Sequence, residues 1–310
     1  MHTLRERLRA RAADNVPIRV GLVGAGQMGT GLLSQVEKMD GIQIVAVADI
    51  VPDQAELAYK ESDVDDQLVY FLEENGTNGD QRIQDGYRLA MRSAHTLVKL
   101  ENLDVIVEAT GVPEVGAFVC EAAILNHKHI VNMNVEADAT IGYYLTQLAD
   151  QHNVVYSLAA GDEPGSIKEI YDFADALGFE IVAIGKGKNN PLNRASNPDT
   201  TATKAERQKM SAKMLASFED GTKTMVEMTS IANAIGYPPD IRGAHGPNVN
   251  VNQLADTFIP QTDGGIFSGA GKVDYAVGDV APGVFVIITT DQPKIIRDLN
   301  YLRLNGNGKY

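Results

Sequence analysis

The chain lacks tryptophan, has a single cysteine and carries far fewer basic than acidic residues, 27 lysines and arginines against 41 aspartates and glutamates. One cysteine excludes an intrachain disulfide. Cys120 lies in the apolar run 119–125 and reads as a small core hydrophobe. The net charge of −14 argues against non-specific nucleic-acid binding and against an anionic membrane surface, since both need a basic face. It leaves room for an anionic small molecule held in a local basic pocket. No apolar stretch approaches the length of a membrane span. The first residues are arginine-rich (Arg5, Arg7, Arg9, Arg11) but lack an apolar signal-peptide segment. They predict a solvated amphipathic helix with Leu4 and Leu8 on one side, and a cytoplasmic setting. A hydrophobic content of 44% over 310 residues is enough for a real core and for two domains.

Against these absences stands one glycine-rich stretch. Residues 18–29 read Ile-Arg-Val-Gly-Leu-Val-Gly-Ala-Gly-Gln-Met-Gly: an apolar strand running into Gly-x-Gly-x-x-Gly. A helical segment follows, with Leu32, Leu33 and Val36 on one side, then a second apolar run, 42–48, closed by Asp49. This strand–turn–helix–strand–acid order is that of a dinucleotide site. Gly24 allows the tight turn. Gly26 lets a pyrophosphate reach the backbone, beside Gln27 and Met28, and Gly29 lets helix and strand pack closely. The helix N-terminus offers free N–H groups to the phosphates. Asp49 can accept the adenine-ribose hydroxyls. It is followed by Ile50 and Val51, with no arginine for a 2′-phosphate, so NAD is expected over NADP. The blander alternative is a glycine turn with Asp49 as a loop cap.

Strands and helices then alternate to about residue 160, with further strands at 103–109, 129–133 and 154–159. The alternation predicts a doubly wound parallel sheet of the Rossmann α/β type. Pro52 is expected to open a helix, and residues 61–103 read as an insertion with local helices. Thr110 and Gly111 end the third strand, on the edge where ligands bind in open α/β sheets. His127 and His129 flank Lys128 as a weak metal pattern, better read as a solvated helix end. The strand at 154–159 delivers Asp162 and Glu163 to the same edge. Their alternative role is to cap a helix at 166–177. A strand at 179–185 leads into Lys186-Gly187-Lys188-Asn189-Asn190, two lysines straddling a glycine. They are either solvated turn residues or the cationic centre for a carbonyl or anionic substrate. One helix is expected at 203–218 and a second at 222–234, where Lys223 and Glu227 are spaced for a surface ion pair. His245 is a lone loop histidine. The chain turns β-rich from 273. The expected organisation is an N-terminal helix (1–16), a dinucleotide-binding domain (17–160), an α+β substrate domain (161–272) and a β-rich segment (273–310).

Taken together, the glycine stretch, Glu-Ala-Thr-Gly at 108–111, Asn-Met-Asn-Val-Glu-Ala-Asp at 132–138, Gly-Asp-Glu-Pro-Gly at 161–165 and Gly-Lys-Gly-Lys-Asn at 185–189 resemble the homoserine-dehydrogenase-like oxidoreductases. The resemblance is strongest to the branch with a C-terminal SAF-type β-module, which includes a 1-deoxy-D-xylulose 5-phosphate reductoisomerase-like oxidoreductase. It implies cofactor contacts from Gly24, Gly26, Gly29, Asp49, Thr110, Gly111 and Asn134. Two departures count against homoserine as substrate. Val135 stands where those dehydrogenases carry a lysine after the asparagine, and Gly-Lys-Gly-Lys-Asn replaces their Asn-Gly-Thr. The expected activity is NAD(P)-dependent hydride transfer on a small polar keto or hydroxy substrate, phosphorylated or not, with isomerisation of the carbon skeleton as an option. Lys186 or Lys188 would stabilise alkoxide charge, while Asp162 or Glu163 would orient the lysine or shuttle a proton. Lys223, Thr224 and Glu227 are expected on the substrate-pocket wall, because the helix from 222 to 234 mixes polar residues into an apolar pattern without a clean solvated face. If a divalent metal takes part, Glu136, Asp162 and Glu163 are the candidate ligands. The remaining alternatives are a homoserine-type dehydrogenase and a non-catalytic dinucleotide sensor. A homo-oligomer is expected.

Overall fold

The computed structural model describes residues 3–51, 53–74, 76–189, 191–208, 210–302, 304 and 306–310. The expected helix start at Pro52, the turn at Asn75 and the Asn190 position lie outside them. The chain divides into two compact units, Met1–Ala159 and Ala160–Tyr310.

Unit 1 opens with α1 (Leu4–Ala13), closed by a Thr3–Glu6 capping box. The expected amphipathic face is absent: α1 buries no residue, Leu4 is exposed, and the helix is tied down by an Arg9–Asp40 ion pair at 3.1 Å. Then come β1 (Ile18–Val23), α2 (Gln27–Val36), β2 (Ile42–Ala48), α3 (Gln54–Glu61), β3 (Val69–Phe71), α4 (Gly79–Gln84), β4 (Arg88–Met91) and α5 (Ala94–Leu97). They are followed by β5 (Val105–Glu108), α6 (Pro113–Leu125), β6 (His129–Asn132), α7 (Val135–His152) and β7 (Tyr156–Leu158).

The seven strands form one sheet in the order β3-β4-β2-β1-β5-β6-β7, and every pairing is parallel. A parallel sheet must be buried on both faces. One core gathers Leu97, Ile106, Val119 and Leu145; the other gathers Leu22, Leu33, Ile44 and Tyr59. Cys120 packs in the first, where burial pushes its thiol pKa up and leaves it an inert hydrophobe. The strand order reverses at β1, which lies between β2 and β5. The carboxyl end of β1 is therefore the switch point at which such sheets bind ligands.

The stretch 61–103 corrects the expected insertion. It holds β3 and β4, which extend the parallel sheet. Both strands are very short, and β4 opens on Arg88, whose guanidinium donates to the Ile44 carbonyl and pairs with Glu37 at 3.6 Å. β3 falls in the short apolar run 68–72, and β4 has only Leu89, Ala90 and Met91 after Arg88, runs too short to show a period.

Unit 2 contains α8 (Glu163–Ala176), β8 (Glu180–Gly187), α9 (Pro198–Gln208), α10 (Ala212–Asp220), α11 (Thr222–Ile235), α12 (Leu254–Thr257), β9 (Lys272–Ala276), β10 (Val284–Thr289) and α13 (Pro293–Tyr301). The single helix expected at 203–218 is two, because the Ser211 side chain caps a new start at α10. Strand β8 is central, parallel to β9 and antiparallel to β10. Residues 273–310, set apart in the sequence as a separate β-rich segment, thus supply both neighbours of β8. A buried strand needs partners on both edges. One further buried acid holds this sheet to its loops: Asp274 accepts from the amides of His245, Gly246 and Tyr275. Among the described residues no helix is long and apolar enough to cross a membrane.

Candidate functional site

The glycine turn in unit 1 is shaped by what a side chain would strike. Gly24 has φ +96°, and a Cβ there would lie 2.7 Å from the Ala109 backbone. At Gly29 it would lie 2.0 Å from the Gly24 carbonyl oxygen. At Gly26 it would meet no atom within 4 Å. Two glycines are thus required by the protein itself, while the third faces open space. Gly26 is also the N-cap of α2, with no side-chain cap bond, so the first amides of this ten-residue helix point outward unclaimed by a cap. That is the cradle a pyrophosphate needs, and the residues present fit a dinucleotide.

The turn is fixed in advance. Ala25 donates its amide to Asp49 Oδ2 at 2.8 Å, and its carbonyl accepts from Thr30 Oγ1 and from Gln54 Nε2. Asp49 Oδ1 accepts from the Val51 amide at 2.9 Å. Large apolar side chains stand in solvent along this edge: Met28 (64% exposed), Ile50 (85%) and Val51 (54%). Uncovered apolar surface next to a phosphate cradle is a surface for flat rings. Gln27 is exposed beside them.

At the end of β5, Thr110 is clamped by Glu108. Its amide donates to Glu108 Oε1 at 2.9 Å, and its hydroxyl donates to the same oxygen. Gly111 follows, exposed at φ +65°. Glu108 was not singled out in the sequence, yet it is fully buried and Oε2 has no hydrogen-bond partner. Burial pushes its carboxyl pKa up. The signal was available: an acid closing an otherwise apolar strand. Asn134 is also fully buried. Its side chain accepts from the Ala137 amide and donates to the Val112 carbonyl, so it joins the starts of α6 and α7. Glu136 sits in the first turn of α7.

In unit 2, the face of β8 that carries Ile184 packs on Ile167 of α8 and on Met228 and Ile231 of α11. Two residues further along β8, on the same face, Lys186 replaces the aliphatic side chain. Its ammonium is almost wholly buried. It donates to Glu163 Oε1 at 2.7 Å and to Glu227 Oε2. On the opposite face of β8, Gly185 leaves room for its neighbours in the sheet, since a Cβ there would lie 2.2 Å from the Asp274 carbonyl oxygen and 2.6 Å from the Phe285 ring. Glu163 opens α8 and also accepts from Asn189 Nδ2 at 3.3 Å. Asp162 is the N-cap residue, but its side chain makes no cap bond. One oxygen from each of Asp162, Glu163 and Glu227 lies within 4.8 Å of the others.

Two sequence expectations change here. The third carboxylate grouped with Asp162 and Glu163 is Glu227, whereas Glu136 belongs to unit 1. Glu227 is also buried rather than on the surface, and the Lys223 charge acts on it there. It lies on the buried stripe of α11 with Thr224, Met228 and Ile231, at helical spacing. That stripe was readable in the sequence as a lone acid in an apolar face. The Lys186 ammonium bonds two of the three carboxylates, so the chain itself already supplies a cation to this cluster.

The charges are graded. Burial pushes the Glu227 carboxyl up to about 7, outweighing the lowering by Lys186. Burial and the neighbouring Glu163 push Asp162 up to about 6. Burial would also raise Glu163, but its bond to Lys186 wins and holds it below the usual range. Lys188 is buried with its ammonium on the Phe218 carbonyl at 2.6 Å; burial, then Lys186, lower its pKa. Lys223 is half-buried, and its charge acts on both Asp162 and Glu227.

The histidines take other roles. His129 Nδ1 accepts from the Val155 amide, and the His127 ring lies against that of His152. His245 bonds to Asp240 at 3.1 Å, and Ser268 also donates to Asp240. In that cluster serine and histidine both bond to the acid, so no nucleophile–base pair is formed.

Residues 161–310 match the family described as "Oxidoreductase DRL, catalytic domain", a stretch that falls within unit 2. The expectation of an oxidoreductase is borne out at the level of that description. No curated protein matches the chain. Among solved structures the chain is similar to an NAD-binding oxidoreductase from Klebsiella pneumoniae, at 16% identity over 58% of this chain and 45% of that one, with a TM-score of 0.41. It is similar to the WlbA dehydrogenase from Bordetella pertussis, in complex with NADH and UDP-GlcNAcA, at 15% identity over 60% and 50%, with a TM-score of 0.40. A probable dehydrogenase from Thermotoga maritima aligns at 13% identity over 88% and 76%, with a TM-score of 0.42. The chain spans about half the length of the first of these relatives. Likeness at this distance carries no argument about substrate.

Proposed function

We propose that the chain is an NAD(P)-dependent oxidoreductase acting on a small polar keto or hydroxy substrate, with the dinucleotide held by unit 1 and the proton chemistry run by Glu227 of unit 2. The observation that carries this reading is the graded carboxyl set around Lys186. Reducing a carbonyl requires a proton for the developing alkoxide, and oxidising the alcohol requires a base to remove it. An acid that titrates near the working pH serves both directions. Glu227, raised to about 7, meets that requirement. Lys186 keeps Glu163 charged and supplies a buried cation against developing negative charge. When bound, the nicotinamide supplies or accepts the hydride. The bound lysine, rather than a metal, is the cationic element of this reading.

The test is a pH profile in both directions, with NADH or NADPH and a panel of small keto compounds that includes sugar-phosphate ketones, and with homoserine plus NAD as the opposing case. For reduction, kcat should fall above about pH 7 as Glu227 loses its proton; for oxidation, it should fall below that pH. Glu227→Gln should remove this limb and lower kcat on the order of 10²-fold. Product analysis separates simple reduction from reduction coupled to isomerisation. Binding of dinucleotide with no turnover across the panel favours a sensor. A wild-type profile kept unchanged in Glu227→Gln would remove Glu227 from the chemistry.

A further inference from the structure

The sequence expectation of NAD over NADP rests on the residues that follow Asp49, where no arginine occurs. The sheet brings one from elsewhere. Strand β2 pairs in parallel with β4, with Ala48 opposite Met91, and the Asp49 amide donates to the Met91 carbonyl at 3.1 Å. Arg92 therefore leaves β4 at the same carboxyl edge, one strand away from Asp49, a separation of about 5 Å between backbones. Its side chain is exposed and has no ion-pair or hydrogen-bond partner among the described residues. The nearby hydroxyl of Ser93 is already engaged by the Thr96 amide at 3.1 Å.

Asp49, the group that should repel a 2′-phosphate, is committed elsewhere. Each of its oxygens accepts a backbone amide, Ala25 on one and Val51 on the other. Two N–H donors disperse part of its charge and aim the carboxylate back at the glycine turn. The edge thus combines a carboxylate turned toward its own loop with an exposed arginine that leaves the neighbouring strand. Guanidinium binds phosphate through paired, charge-assisted hydrogen bonds.

We infer that Arg92 is a 2′-phosphate site and that the protein accepts NADP(H) through it. The inference rests on the reading that unit 1 binds a dinucleotide. Arg92 would hold the phosphate on the adenine ribose, while the glycine cradle holds the pyrophosphate. Arg92 acts on cofactor choice and has no part in the proton chemistry of unit 2.

The experiment is fluorescence titration of the whole chain with NADPH and with NADH, for the wild type, Arg92→Gln and Arg92→Lys. Adenosine 2′,5′-bisphosphate and AMP serve as competing probes. Wild type should bind NADPH at least as well as NADH, and its NADPH affinity should fall more steeply with added salt. Arg92→Gln should weaken NADPH about 10- to 100-fold, the scale of a charge-assisted phosphate contact, with NADH changed about twofold or less. Arg92→Lys should recover part of the NADPH affinity. The bisphosphate should outcompete AMP on wild type and lose that advantage on Arg92→Gln. If both dinucleotides bind and Arg92→Gln weakens them equally or not at all, the Arg92 site is overturned while the dinucleotide reading stands. If neither binds wild type, both are overturned.

Discussion

Lys186→Ala should lose turnover on the order of 10²-fold or more and destabilise the protein by about 3–5 kcal/mol, the cost of removing one partner from a buried charge set. The Lys186 ammonium is 3% exposed and bonded to two carboxylates. Without it, Glu163 and Glu227 face each other in a largely buried site, and taking up protons relieves their repulsion. The stability should then become strongly pH-dependent. In the wild type the two acids pull in opposite directions. Glu163, held below its ordinary 4.5, contributes stability that is present above that value and lost as the pH falls through its folded pKa. Glu227, raised from 4.5 to about 7, contributes stability that is full below 4.5 and lost as the pH rises through 7. In Lys186→Ala both acids behave like Glu227, so stability should decline steadily as the pH climbs from about 4.5. Denaturant titrations at pH 5 and pH 8 read this directly. A second variant separates folding from chemistry: Lys186→Met combined with Glu163→Gln and Glu227→Gln removes all three charges together. It should recover much of the lost stability, because removing Lys186 together with both of its carboxylate partners leaves neither acid orphaned, and it should recover no turnover. A folded Lys186→Ala protein with normal kcat would remove the lysine from the mechanism.

The two units differ in how much of them could be read from the chain. In unit 1 the cofactor cradle is local: Gly24, Gly26, Gly29 and the helix they cap lie within a dozen residues, and the spacing itself encodes the geometry. The parallel strands with long apolar runs, β1 and β2, are equally plain. β3 and β4 are less plain: three or four residues give no measurable period, so the apolar run 68–72 that contains β3 does not by itself say that the strand joins this sheet. Arg92 was invisible for the same reason, since its place beside Asp49 depends on the β2–β4 pairing. In unit 2 the lysine pair at the end of β8 and the acids at the start of α8 were legible as charged residues at strand and helix ends. For Glu227 the sequence offers two readings, a surface pair with Lys223 by spacing and a pocket wall by the mixed character of its helix; the stronger signal is its place on the stripe with Met228 and Ile231. A charge on an apolar stripe calls for a buried counter-charge, and Lys186 on β8, itself following a run of buried aliphatics, was the complementary anomaly. Two such exceptions in one unit, of opposite sign, are better evidence for a pair than either spacing taken alone.

Gly29→Ala and Gly26→Ala should fail in different ways, and the contrast tests the cradle without any knowledge of the substrate. At Gly29 the added methyl would lie 2.0 Å from the Gly24 carbonyl oxygen, a backbone atom that cannot yield without opening the turn. Helix α2 would have to lift from β1, and the Asp49 bond to Ala25 would be lost with it. Gly29→Ala should therefore cost at least about 3 kcal/mol, at the upper end for overpacking a close contact, and lose dinucleotide binding as a consequence of local unfolding. At Gly26 the φ of −72° suits any residue, and a Cβ would meet nothing within 4 Å. As an N-cap, alanine for glycine costs up to about 1 kcal/mol, so the melting temperature should move by only a few degrees. The methyl would instead stand where the pyrophosphate approaches the first amides of α2. Losing a charge-assisted phosphate contact of about 1.5–3 kcal/mol weakens binding roughly 10- to 100-fold. Thermal melts paired with titrations of NADH and NADPH give both readouts on the same protein. Both dinucleotides should weaken together in Gly26→Ala, since they share the pyrophosphate, in contrast to the selective loss in Arg92→Gln. A Gly26→Ala protein that melts normally and binds both with unchanged affinity would mean that the open space at Gly26 is not where a pyrophosphate lies.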